Sequence, residues 1–246
     1  MTKLRQKMIE DMQLRGLSPL TQESYARVVS QLARRYHKSP DQLEEEELRE
    51  YFLYLKNIRG ISASTYQITL CGIKFFYEHT LERTWHILDL ARPAKEKKLP
   101  VVLSVEEVGR ILQCLRKESY RVCLTTIYAC GLRLREGARL QVKEIDGERK
   151  MVHICHGKGG KDRYVPMPNV LLEMLRRHWQ THRNREWLFP SMWSNGKLSS
   201  ANTNGPMSGC GVQKAFRAAL EESGVRKNAT VHTLRHCVEC WIMVSV

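Results

Sequence analysis

The stretch "ARPAKEKKLPVVLS", residues 91–104, sets two prolines around a charged segment with no apolar period. Proline fixes φ and removes a backbone donor, and a Lys/Glu run buries nothing, so one core cannot run through such a segment. It divides the chain into residues 1–90, a linker over 91–103, and residues 104–246. With 246 residues and 42% hydrophobic side chains, both parts can build a core, which excludes disorder and small disulfide scaffolds.

The first part reads as helices. Tyr25, Val28, Val29, Leu32 and Tyr36 recur at helical spacing, as do Leu48, Tyr51, Phe52 and Leu55, and then Tyr66, Ile73, Phe76 and Tyr77. Core packing is the preferred reading of these aromatic stripes over direct contact with bases. "SPDQ", Ser39 to Gln42, predicts a helix start with Ser39 as N-cap and Pro at the first position. Gly16 and Gly60 stand where helices should stop. The run Glu44 to Glu47 is a first helical turn, favoured by the helix dipole.

In the second part Ser104 and Glu107 form a capping box, opening a helix that carries Val108, Ile111, Leu112 and Leu115. "MVHICHGKGGKDRYVPMP" predicts a hairpin, with extended stretches at Met151–Cys155 and Arg163–Met167. Helices are expected over 168–181 and 211–223, the second stopped at Gly224. Between them "SMWSNGKLSSANTNGPMSG" is expected to be a loop. The chain shows no internal repeat, and the predicted fold is mainly α with one small antiparallel sheet.

No apolar run reaches the roughly 20 residues that span a bilayer, and the N-terminus is charged from Lys3 on, so a soluble, cytoplasmic protein without membrane partners is expected. Eight scattered cysteines show no framework spacing and read as mostly reduced core residues. The formal charge is +14. Residues 1–95 carry 15 basic and 12 acidic side chains, the remainder 25 and 14, so most of the excess lies in the second part. A phosphate backbone is the partner such a field favours, with a merely basic surface as the plainer alternative.

Three clusters there put positive side chains in unusual settings. In "YACGLRLREGARLQVKEID", Arg133 follows an apolar helix and Gly131, and is either a cap or a phosphate ligand, with Glu136 three residues on to pair with it. "HGKGGKDRYVP" offers Lys158 and Lys161, which a flexible basic turn would offer equally. It lacks GxxxxGK[ST], so nucleotide hydrolysis is not indicated. In "HTLRH", His232, Arg235 and His236 share one helical face, suited to clamping a phosphate and exchanging a proton. His232, His236, Cys237 and Cys240 also spell overlapping zinc pairs, but without a loop between them one tetrahedral site is hard to close.

Taken in order, G-L-R-x-x-E, G-K-G-x-K-x-R-x-V-P and H-x-L-R-H, behind a helical N-terminal part and a basic linker, resemble the tyrosine recombinase or phage-integrase family. "SPLTQESYARVVSQLARRY" and "STYQITLCGIKFFYEH" look like its SAM-like core-binding domain. The resemblance implies a core-binding domain over 1–90, a basic linker over 91–103 and a catalytic domain over 104–246. It implies that Arg133 and Arg235 grip the scissile phosphate of double-stranded DNA, that Lys158 protonates the leaving 5′-oxygen, that Glu136 holds Arg133, and that His232 assists proton transfer with His236 in support. It further implies transesterification through a 3′-phosphotyrosyl link without metal, cofactor or nucleotide, and self-association on DNA, with a four-subunit synapse, in a protein of the bacterial or mobile-element kind.

The chain departs from the family after H-x-L-R-H. It reads "CVECWIMVSV" where a helix, a G-H motif and the nucleophilic tyrosine are expected, and Tyr164 is its last tyrosine. The departure implies a truncated catalytic domain that binds DNA without cleaving it, or a decayed fragment that competes with a full-length recombinase.

Overall fold

The computed structural model describes residues 2–91, 99–155, 162–191, 193–194, 197–198 and 205–244, with the backbone alone for 193–194, 197–198 and 238–244. It is mainly α with a small antiparallel sheet, and it forms two compact units, Met1–Lys98 and Leu99–Val246. No described helix is long and apolar enough to cross a membrane.

The first unit contains α1 (Lys3–Leu14), α2 (Pro19–Tyr36), α3 (Glu45–Asn57), α4 (Ala63–Phe75) and the short α5 (Ile87–Leu90). Ser18 and Ser62 cap α2 and α4 by accepting the N–H of Thr21 and Thr65. Gly16 and Gly60 take left-handed φ of 67° and 54° just past α1 and α3, as the punctuation predicts. The core gathers Met8, Met12, Leu32, Leu48, Tyr51, Phe52, Ile73, Phe76 and Tyr77, so the aromatic stripes face inward. Each such burial is worth roughly 1.5–3 kcal/mol, a stabilisation that a role in touching bases would forfeit. Helices α2 and α4 pack closely, since a Cβ on Gly72 would stand 3.2 Å from the Tyr25 Cα.

One predicted start is corrected. Ser39–Pro–Asp–Gln closes a single 3₁₀ turn, Pro40–Gln42, and no α-helix follows from it. Leu43 is extended at φ −78° and ψ 147° and is buried, so the chain breaks there to seat Leu43 in the core. The helix restarts at Glu45, with Glu44 as its N-cap and the acidic side chains of Glu45, Glu46 and Glu47 in its first turn.

The second unit is built around α7 (Glu118–Ala129), whose Cys123, Leu124 and Ile127 are fully buried. Against it pack α6 (Val105–Gln113), α8 (Leu134–Ala138), α9 (Asn169–His182), α10 (Gly209–Glu222) and α11 (Val231–Val244). The Ser104–Glu107 capping box opens α6, and Gly224 follows α10 at φ 70°. The hairpin forms from β2 (Met151–Ile154) and β3 (Arg163–Pro166), in register His153↔Tyr164 and Ile154↔Arg163. A third strand, β1 (Ile145–Asp146), pairs with β2. The expected loop after α9 instead contains a two-residue ladder, β4 (Trp193–Ser194) with β5 (Lys197–Leu198). Asn195 and Gly196 stand between them in sequence, a dipeptide favoured in two-residue hairpins.

Candidate functional site

Helix α7 ends at Ala129 with Cys130 as its C-cap, and Gly131 reverses the chain at φ 56°. Arg133 then becomes the N-cap residue of α8, which lies against α7. Glu136, in the first turn of α8, folds back on that cap. Its Oε2 accepts the Arg133 backbone N–H at 2.8 Å and its Oε1 accepts Nη1 of the same arginine at 2.7 Å. Arg133 thus caps the start of α8 and not the end of α7, and its guanidinium pairs with Glu136.

A second arginine arrives from β3. Arg163 donates to both Glu136 oxygens, Nη1 to Oε1 at 3.0 Å and Nη2 to Oε2 at 2.7 Å, in the two-pronged geometry that suits a guanidinium and a carboxylate. Arg235 on α11 brings a third guanidinium, its Nη1 3.9 Å from Glu136 Oε2. Thr230 and Thr233 fix the start of α11, the Thr233 hydroxyl accepting the Thr230 N–H at 2.9 Å, and the helix packs on α7. Three cations from three elements thus meet one carboxylate whose side chain is 10% exposed.

Burial alone would raise the Glu136 carboxyl. The hydrogen bonds from Arg163 and from the backbone and side chain of Arg133 outweigh it and hold the pKa at about 2. Glu136 is thus ionised at neutral pH, and the cluster carries a net charge of about +2 by formal count. The Arg133 side chain is 36% exposed and its guanidinium has about five N–H donors, one of them on Glu136, so donors remain there for an outside anion.

His232 and His236 lie together on α11, ring centroids 4.6 Å apart, with His232 exposed. Cys237, which the sequence offers as a metal ligand beside them, is fully buried and its Sγ accepts the Leu103 N–H at 3.2 Å. Lys158 and Lys161 lie outside the described residues, as does the side chain of Cys240. Tyr164 is 60% exposed and stacks on His153, on the face of the hairpin opposite Arg163. Arg163 falls within the G-K-G-x-K-x-R-x-V-P motif, whose pattern alone assigns it no role. Its signal is the period of two along β3, which puts it on the same face as half-buried Val165.

Gly137 lets α8 approach α7. A Cβ there would stand 2.3 Å from Ile127 Cγ1, so Gly137→Ala forces the two helices apart. A loss of about 1–3 kcal/mol in unfolding free energy is expected. In a double-mutant cycle read by urea denaturation, Ile127→Ala should cost less in the Gly137→Ala background than alone. Simple additivity would show that the glycine is not there for this contact.

Residues 4–87 match the family described as phage integrase, N-terminal SAM-like domain, and residues 101–244 match the phage integrase family. The chain is 40% identical over 237 residues to "Putative integrase/recombinase y4qK" of Sinorhizobium fredii, covering 96% of this chain and 74% of that one. It is 29% identical to "Tyrosine recombinase XerC" of Lactobacillus delbrueckii subsp. bulgaricus, over 80% of this chain and 68% of that one. In fold it is similar to a lambda integrase fragment, solved as a dimer bound to a COC' core site, with a TM-score of 0.74 and 18% identity over 99% of this chain and 89% of the other. The chain belongs to the phage integrase family, the tyrosine recombinases.

Proposed function

We propose that the chain binds double-stranded DNA and holds one backbone phosphate between Arg133 and Arg235, in the service of DNA integration and recombination. The observation that carries this reading is the convergence of Arg133, Arg163 and Arg235 on Glu136. A preorganised group of guanidinium donors stabilises charge that develops on phosphate oxygens without reorganising during the reaction. In this reading residues 1–90 are the core-binding domain, 91–103 the linker and 104–246 the catalytic domain. Glu136 positions Arg133 and Arg163, Lys158 protonates the leaving 5′-oxygen, and His232 moves a proton at the attacking oxygen, with His236 behind it. Copies associate on DNA, four to a synapse.

Strand cleavage in this family needs a tyrosine nucleophile, and these 246 residues hold no tyrosine after Tyr164. The polypeptide of this sequence is therefore proposed to bind without cleaving. In gel-shift assays its affinity should fall steeply with salt, and Arg235→Ala should lower the salt slope by about 1. Nicked substrates on denaturing gels should show no covalent adduct. An adduct would overturn the non-cleaving reading. The second reading, a decayed fragment, predicts neither salt-dependent binding nor resistance of residues 104–246 to proteolysis.

A further inference from the structure

The β2–β3 hairpin has two faces of different chemistry. Val152 and Ile154 turn into the core on one face, where Arg163 reaches Glu136. On the other, half-buried His153 and Cys155 follow the same period of two, Tyr164 comes from the opposite strand, and Asp162 stands just before it. His153 lies flat on Tyr164, ring centroids 4.5 Å apart and planes 14° from parallel, which fixes the imidazole. Cys155 Sγ is 3.4 Å from His153 Nδ1 and 3.9 Å from Nε2, Asp162 Oδ2 is 3.5 Å from Nε2, and one donor atom from each of the three residues lies within 4.8 Å of the others.

We propose that the Cys155 thiolate, His153 Nε2 and the Asp162 carboxylate form a binding site for a divalent cation of the zinc type. Zinc bonds of about 2.3 Å to sulfur and about 2.0–2.2 Å to nitrogen or oxygen give tetrahedral edges of roughly 3.3–3.7 Å. The 3.5 Å from Nε2 to Asp162 Oδ2 lies within that range, while Sγ, nearer Nδ1 than Nε2, must swing with the Cys155 side chain toward the Nε2 lone pair to share the cation. A mixed sulfur, nitrogen and oxygen set disfavours magnesium and calcium, which take oxygen, and suits zinc. An exposed His–Asp pair alone stabilises little and does not account for a thiol held against the same imidazole. Burial, with the Glu144 and Asp162 carboxylates next in effect, pushes the Cys155 thiol up. A cation neutralises those carboxylates and displaces the thiol proton to solvent. Three protein ligands leave a fourth position for water or Glu144.

Cys155 and Asp162 flank in sequence the six residues that include Lys158 and Lys161, so the cation would pin the two ends of that segment together. The consequence for Lys158 rests on the proposed function; the binding itself does not.

The test uses the 246-residue chain without DNA, stripped with chelator and titrated with zinc, with alkylation of each cysteine located by mass spectrometry. Zinc is expected to slow alkylation of Cys155 at least about ten-fold and to leave exposed Cys210 unchanged. His153→Asn and Asp162→Asn should each raise the zinc concentration needed at least about ten-fold, with far-ultraviolet circular dichroism unchanged. Equal alkylation of wild-type Cys155 with and without zinc overturns the proposal. So does protection that survives both substitutions. Because no DNA is present, failure of the DNA-binding reading leaves the result standing.

Discussion

Replacing Glu136 with glutamine is expected to lower the unfolding free energy of the second unit by about 3 kcal/mol at neutral pH. The carboxyl falls from 4.5 to about 2 on folding, and each pKa unit corresponds to about 1.36 kcal/mol. Breaking a buried pair independently suggests about 3–5 kcal/mol, because the remaining charges lose their counterion. Glutamine keeps the volume and one acceptor and removes the charge, leaving three arginines with no anion between them.

The sign of the pH dependence makes the test specific. A carboxylate whose pKa is depressed on folding contributes stability that is present above 4.5 and lost as pH falls toward about 2. Wild type and Glu136→Gln should therefore differ most at pH 7 and converge in acid, read by urea denaturation. A gap that persists undiminished at low pH would mean the glutamine merely packs badly. The substitution also makes the cluster more positive, so any weakening of DNA binding reports lost placement of Arg133 and Arg163 and not lost attraction.

Local signals predicted those parts of the fold that local energetics decide. The Ser104–Glu107 capping box, the left-handed glycines 16, 60 and 224 and the apolar stripes of α2, α3 and α4 each depend on neighbours within a few residues, and each stands where expected. Ser39 carried an equally good local signal, but a distant demand overrode it: Leu43 had to enter the core, which stops the turn after Gln42. Strand β1 is two residues long and pairs only at Ile145 and Asp146, too short for a period of two to register.

The candidate site divides in the same way. Arg133 and Glu136 are three residues apart on one short helix, so their pairing was legible. The Arg163–Glu136 bond spans 27 residues and depends on how the hairpin lies against α8, which spacing does not encode. Arg235 was legible as a helical face beside His232 and His236, while its approach to Glu136 comes from α11 packing on α7. The pair His178 and His182 is not legible in the sequence, because an i, i+4 spacing of histidines looks the same on a solvated face as on a buried one.

That pair supports the other large prediction. His178 and His182 sit on the inner side of α9, 5% and 7% exposed, ring centroids 5.0 Å apart, with His178 stacked on Phe189. The Asn184 backbone N–H donates to His182 Nδ1 at 3.1 Å, so the neutral ring carries its proton on the buried Nε2, toward the Leu188 backbone, without a hydrogen bond of good geometry. His178 Nε2 is likewise buried without one. Burial, and then the neighbouring His182, push His178 down from 6.5 to about 4 against a smaller upward pull from Glu118; burial also pushes His182 down. A histidine kept neutral by folding contributes stability that is complete above about 6.5 and lost as pH falls toward the folded value, because the unfolded chain takes up the proton first. For His178 the loss between pH 7 and pH 4 is about 3 kcal/mol, and it begins well before Glu136 starts to titrate. His178→Leu keeps an apolar group against Phe189 and removes that ring's titration, so it should reduce the loss of stability between pH 6.5 and 4 to the part His182 still contributes, while leaving the lower-pH limb that belongs to Glu136. Urea denaturation at half-unit pH intervals separates the two limbs. If the variant loses stability across that window as steeply as wild type, the buried histidine is not what makes this unit sensitive to mild acid.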